Sequence, residues 1–391
     1  MDKRLYWLAL GSFTISTEGF VISALLPEIA ADAGISVPVA GVLITAFALA
    51  YAVGAPVLAT LTGDWDRRRI ILWTLAFFVL GNIVAGLSSS FAVLLAARIV
   101  MALASGLFAA TAQATAVALV DAHHRARAIS VVVGGTTIAV AVGAPLGALL
   151  GTFAGWRGTF FAVAALGTLA GLVLAWRLPR GLVGTRLPLS ERLRAALRPG
   201  VLPILVQTLL ILTGAFTVFS YIAPLAIEGA GLSELALPGL LLAFGIGAVL
   251  GNITGGQMAD RFGATRTVAW SFGLVTIVLA LISAVPVLPR PVAGPALFAL
   301  IAAWGLIGWA FPPAQASRIV KLAPDAAPIV LSLNASALYL GVALGAVVGG
   351  VVLQYGGTVD LGIAAALFPL AGLGLLLLSL RVARPSAMPA E

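Results

Sequence analysis

With 391 residues, 61% of them apolar and only 9% charged, the chain is far from the roughly 25% charged residues of soluble domains, and a water-soluble fold is excluded. The absence of cysteine excludes disulfides, thiolate metal sites and cysteine nucleophiles. The net charge of +8 would suggest nucleic acid in a soluble protein, but here the placement of the charges carries the information.

A bilayer crossing needs about 20 apolar residues, and runs of that length follow one another with short connections. They predict an all-α membrane protein with twelve transmembrane helices, at 5–27, 38–61, 70–88, 91–119, 128–151, 157–176, 201–227, 235–258, 267–286, 293–316, 327–354 and 359–380. The first run follows Met1-Asp2-Lys3-Arg4 as the core of a signal peptide would, but it is too long and many spans follow, so a retained first helix is expected. Placing the N-terminus in the cytoplasm puts nineteen of the 22 basic residues on that side, with Arg157 and Arg290 opposite and Arg98 inside a span. That split obeys the positive-inside rule, so both termini are expected in the cytoplasm of a cell whose inner membrane holds the chain.

Within the first span, Glu18 stands about 20 Å along the helix from Leu5, and in the fourth Arg98 stands about 10 Å in from Phe91. Both therefore lie roughly 10 Å below the outer surface. An ionisable group in hydrocarbon costs a few kcal/mol or more and is a functional candidate by default. A static pair that fixes packing is the other reading.

Six arginines and Glu191 make 177–199 a basic cytoplasmic linker. It separates an N-terminal six-helix bundle over 1–176 from a C-terminal one over 200–391. The stretch 189–197 is patterned as an amphipathic helix for an anionic leaflet, or as a solvated linker. The two halves repeat: an offset of 202 lays Ala112-Gln113-Ala114-Thr115 over Ala314-Gln315-Ala316-Ser317, and Gly143 and Gly147 over Gly345 and Gly349.

The loop after the eighth span reads G-x-x-x-D-R-x-G-x-x-R, with Asp260, Arg261, Gly263 and Arg266 in place. It resembles the cytoplasmic signature of the major facilitator superfamily. The first-half loop, Asp64-Trp65-Asp66-Arg67-Arg68-Arg69, departs from it: aligned on the arginines, Gly63 takes the acid's place and Asp66 the glycine's, which leaves open whether Asp64 gates. Arg98, Ala102 and Gly106 are similar to the family's fourth-helix signature, and Gly143-Ala144-Pro145-Leu146-Gly147 resembles the glycine-proline signature of its antiporters. The segment Glu18 to Ala30 is similar to the first helix of the drug:proton antiporter branch, which includes sugar-efflux and chloramphenicol-resistance exporters.

The resemblance implies two pseudo-symmetric bundles rocking about a central cavity, with gating residues Asp64, Arg68, Asp260, Arg261 and Gly263 and an antiporter motif at Gly143, Pro145 and Gly147. It also makes the first and fourth helices neighbours, so that Glu18 and Arg98 can meet or share a water. Glu18 is then the expected proton acceptor and Arg98 the charge that tunes it. The expected function is efflux of a small organic molecule in exchange for protons. A symporter or uniporter on the same fold is the alternative, and a non-transporting membrane sensor a remote one.

Substrate candidates are Phe20, Tyr51, Gln113, Gln207, Phe216, Tyr221, Asn252, Trp304, Trp309, Gln315, Asn334 and Tyr339, aromatics and amides suited to a weakly polar amphiphile. His123-His124 lacks further ligands for a metal, and no Walker-type loop is present. No enzyme activity and no cofactor beyond the coupling proton are expected. The expected partners are the substrate and membrane lipids, without nucleic acid, around a monomer.

Overall fold

The computed structural model describes residues 2–184 and 189–382. Its helices are, in chain order, α1 (Arg4–Ala33), α2 (Val37–Ala40), α3 (Val42–Leu61), α4 (Arg67–Leu87), α5 (Phe91–Ala118), α6 (Arg125–Ile138), α7 (Ala144–Arg177) and α8 (Leu189–Ala196). They continue with α9 (Val201–Phe219), α10 (Ile222–Pro224), α11 (Leu237–Met258), α12 (Ala264–Ile282), α13 (Arg290–Trp309), α14 (Phe311–Leu322), α15 (Ala327–Tyr355) and α16 (Thr358–Val382). Among the described residues the one β-type pairing is an isolated bridge between Asp66 and Val183.

Among the described residues ten helical runs are long and apolar enough to cross a membrane. Two of them, Arg127–Arg177 and Glu234–Val287, hold 51 and 54 residues, about 75–80 Å of helix against a hydrocarbon core of roughly 30 Å. Each contains a glycine in a backbone region that side chains avoid, Gly155 at φ 70° and Gly263 at φ 91°. The predicted breaks at 152–156 and 259–266 contain these two glycines.

Prolines shape the other departures from regular helix. Pro145 offers no N–H to the carbonyl four residues back and its ring crowds that carbonyl, and a wide π turn over Ala139–Gly143 precedes it. The predicted seventh span, 201–227, breaks at Ser220–Tyr221 and resumes as α10 and a π turn, Leu225–Gly229. The predicted tenth span, 293–316, is two helices, α13 and α14, parted at Ala310 ahead of Pro312-Pro313.

In the first half α4 packs on α5 and α7, α1 on α6 and α7, and α3 on α5. In the second, α15 packs on α9, α11 on α13, and α16 on α9 and α12. The halves meet where α3 lies on α15 and where α11 lies on α7 and the π turn before it. Large apolar side chains such as Trp73, Phe77, Leu172 and Trp176 face outward, as a lipid solvent requires. Inside, the hydroxyls of Thr14, Thr17, Ser105 and Thr217 donate to carbonyls one turn back, so burial leaves them satisfied.

The loops fall into two sets. Around the linker, Arg67 donates from its backbone N–H to Leu182 and from Nη1 to the Ala114 carbonyl, gathering a basic end. At the other end, Arg157 pairs with Asp32 at 2.8 Å and donates to the Ser88 carbonyl, while Glu28 accepts from the Trp156 N–H. This is the acidic end.

Candidate functional site

Helix α1 carries Glu18 into the middle of the first half, where its carboxylate meets Arg98 Nη1 from α5. Both side chains are at most 2% exposed. Arg98 Nε also points at the Leu43 carbonyl, 3.5 Å away, and the guanidinium lies 4.3 Å from the centre of the Phe47 ring. Carboxylate, carbonyl and ring face thus surround one cation, and a desolvated cation gains from all three. Behind Glu18, Gly143 and Gly147 abut Thr17 and Val21 of α1 so closely that a Cβ at either would collide. The glycine-proline segment is therefore seated directly against the helix that bears the carboxylate.

A second group of residues fills the seam between the halves. Phe20 lies 5.8 Å from Phe219, 6.4 Å from Phe216 and 6.5 Å from Trp309, measured between ring centres. Phe219 and Trp304 each stand within aromatic contact of Phe244, at 5.1 Å. Nearby, Tyr51 of α3 stacks on Tyr339 of α15 at 3.5 Å and 17°. Phe47 and Tyr51 are one turn apart on α3 and share a face. Glu18, Arg98 and Phe47 thus stand in contact on the same side of α3 as the Tyr51 ring that meets the opposite half.

Other predicted substrate residues have different surroundings. Gln207 and Gln315 are fully buried, and each accepts from Arg318 Nη1, at 2.7 and 2.8 Å. Gln315 donates to the Ile204 carbonyl and to Thr208, whose hydroxyl meets Asn334 at 2.6 Å. Gln207, Gln315 and Asn334 thus belong to one polar network in the second half, because a buried amide must find partners. Tyr221 is likewise a packing residue: it is buried, its hydroxyl donates to the Ala346 carbonyl at 2.9 Å, and it wedges against Gly41 and Gly350. Gln113 is exposed on α5 and Asn252 half-buried on α11.

In the first-half loop the acid at work is Asp66, and Asp64 is exposed. Asp66 caps α4 by accepting from the N–H groups of Arg68 and Arg69, and it also accepts from Gly181. Burial pushes its carboxyl up, but those three N–H groups and the Arg69 charge outweigh it and hold the group below the usual carboxylate range. Arg68 donates to the Ala175 carbonyl near the end of α7, an arginine-to-helix-end contact. In the second loop Asp260 is exposed, Arg261 lies over the neighbouring Phe262 ring at 5.3 Å, and neither makes an ion pair among the described residues.

Asp66, Phe47, Phe219 and Phe244 are the residues that sequence reasoning missed. Asp66 was readable as an N-cap, an aspartate directly before Arg67 and an apolar run. The phenylalanines carry no such signal among 18 of their kind. Among the described residues no group of three His, Cys, Asp or Glu gathers to hold a metal.

Residues 8–246 match the family profile described as Major Facilitator Superfamily. The chain is 33% identical over 356 residues to the inner membrane transport protein YdhP of Escherichia coli, covering 91% of this chain and 90% of the relative. It is 32% identical over 351 residues to an uncharacterized MFS-type transporter, YbcL of Bacillus subtilis, covering 90% and 89%. A chloramphenicol resistance protein of Streptomyces lividans is 34% identical over 355 residues, covering 89% and 88%. Among solved structures, a bacterial homolog to the human lysosomal transporter Spinster, inward-facing and unoccupied, has a TM-score of 0.72 at 18% identity over 97% of this chain and 98% of that one. That likeness is one of fold.

Proposed function

The chain belongs to the major facilitator superfamily, and from that premise we propose that it exports a small organic molecule in exchange for protons. It is a multi-pass membrane transporter, a carrier and not an enzyme. Counting Gly155 and Gly263 as turns between crossings brings the ten long runs to twelve transmembrane helices, with the basic end and both termini in the cytoplasm of the inner membrane.

The observation that carries the reading is the buried Glu18–Arg98 pair, on the same side of α3 as the Tyr51 ring that meets the other half. Loss of one partner from a buried pair costs about 3–5 kcal/mol, against about 0.5–1.5 kcal/mol for one aromatic stack. Protonation of Glu18 is therefore large enough to override the Tyr51–Tyr339 contact between halves. A neutral Glu18 releases Arg98 to strengthen its hold on the Leu43 carbonyl and Phe47, which moves α3 against α15. Proton and substrate then favour different states, as exchange requires. The close seating of Gly143 and Gly147 against α1 supports antiport, and the aromatic seam suits an apolar or weakly polar substrate. The chloramphenicol resistance relative makes phenicols the first class to try.

The test is substrate-driven proton movement in proteoliposomes, screened over phenicols, dyes and sugars. Wild-type protein is expected to move protons against substrate, and Glu18→Gln to retain substrate exchange while losing proton movement. Undiminished coupled proton flux in Glu18→Gln would remove Glu18 from the mechanism.

A further inference from the structure

At the basic end of the second half, a cavity of about 620 Å³ opens between the start of α9, the Phe262–Arg266 turn, α14 and the end of α16. Among the described residues no lining residue comes from the first half, so it is separate from the aromatic seam. Arg266, Arg318 and Lys321 line it, and among the described residues no carboxylate does. Arg318 is half-buried, and the partners it has are the neutral amides of Gln207 and Gln315.

Gln207 adds an independent observation. Its Oε1 accepts from Arg318, which fixes the orientation of the amide and turns Nε2 the other way. That nitrogen is buried and has no hydrogen-bond partner among the described residues. The first turn of α12, which also borders the cavity, has no side-chain cap. Three cations without a counter-ion among the described residues and an uncapped helix start ask for the same thing, an acceptor carrying negative charge. Around the mouth, Phe262, Leu322 and Leu380 are apolar and exposed. A soluble anion has no use for them, whereas a lipid's acyl chains do.

We infer that this cavity holds the phosphate headgroup of an anionic phospholipid, taken from the leaflet at the basic end. The proposed orientation enters only in calling that leaflet cytoplasmic, and the binding test below does not depend on transport. The purified full-length protein in detergent is titrated with phosphatidylglycerol or phosphatidylcholine and examined by native mass spectrometry. One phosphatidylglycerol is expected to be retained in preference to phosphatidylcholine. Each surface cation is worth roughly fivefold in binding an anionic lipid, so Arg266→Gln with Lys321→Gln lowers retention roughly twenty- to thirtyfold. Arg125→Gln with Arg127→Gln, at the basic end of the other half, leaves it unchanged.

A second variant guards against misfolding. Gln207→Glu keeps the side chain's shape, replaces the unsatisfied N–H₂ by oxygen and gives Arg318 an internal counter-ion. It should abolish selective retention without lowering the unfolding temperature of lipid-free protein. Equal retention of the two lipids, or retention indifferent to both variants, overturns the inference. Displacement of the lipid by millimolar glycerol 1-phosphate also overturns it, by assigning the cavity to a soluble phosphate ester.

Discussion

Glu18 and Arg98 lie out of reach of water, and each is the other's main source of compensation. The consequence is unequal sensitivity to substitution. Arg98→Ala strands a carboxylate and is expected to cost about 3–5 kcal/mol, while Glu18→Leu with Arg98→Met, apolar on both sides, stays near wild type. Thermal unfolding in detergent ranks the variants, and an Arg98→Ala protein as stable as wild type would mean that water reaches the pair. Glu18 was legible in the sequence because a charge inside an apolar run is conspicuous. The contact of Arg98 with Phe47 was not, since nothing local distinguishes one buried phenylalanine from another.

At the scale of elements, the start of α4 shows a cap acting as a tie between segments. Asp66 satisfies two N–H groups of α4 and one at Gly181, so the helix start and the linker are fastened by one carboxylate. Asp66→Ala is expected to cost about 1 kcal/mol, and Asp66→Asn much less, because asparagine caps nearly as well. Since the folded carboxyl titrates below its unfolded value, its contribution is complete above about pH 4 and fades as the pH falls through the folded value. The gap in unfolding temperature between wild type and Asp66→Ala should therefore narrow as the pH is lowered from 7 to below about 4. Parallel curves would deny the tie. The resemblance directed attention to Asp64 by motif alignment, whereas the capping rule, applied locally, selects Asp66.

For the whole molecule, the halves touch at the acidic end, where Tyr221 fits between Gly41 and Gly350, and in the middle, at the tyrosine stack. A side chain at Gly41 would collide with the Tyr221 hydroxyl. Gly41→Val is therefore expected to disfavour the arrangement closed at the acidic end. Spin labels placed on the two halves at that end should report longer distances than in wild type, and an unchanged distribution would show that the wedge does not hold the halves together.

That the chain is an all-helical membrane carrier, and where its long apolar runs lie, were available from the sequence, because bilayer thickness acts on consecutive residues. The breaks at Gly155 and Gly263 fall where gaps between spans were read for the same reason. Which way each helix faces was decided only by tertiary packing. Lipid and protein interior are both apolar, so a spanning helix loses the polar face that marks orientation in a soluble protein. That is why neither the Arg318 network that holds Gln207 and Gln315 nor the Phe20–Trp309 and Tyr51–Tyr339 contacts across the seam could be read from the sequence.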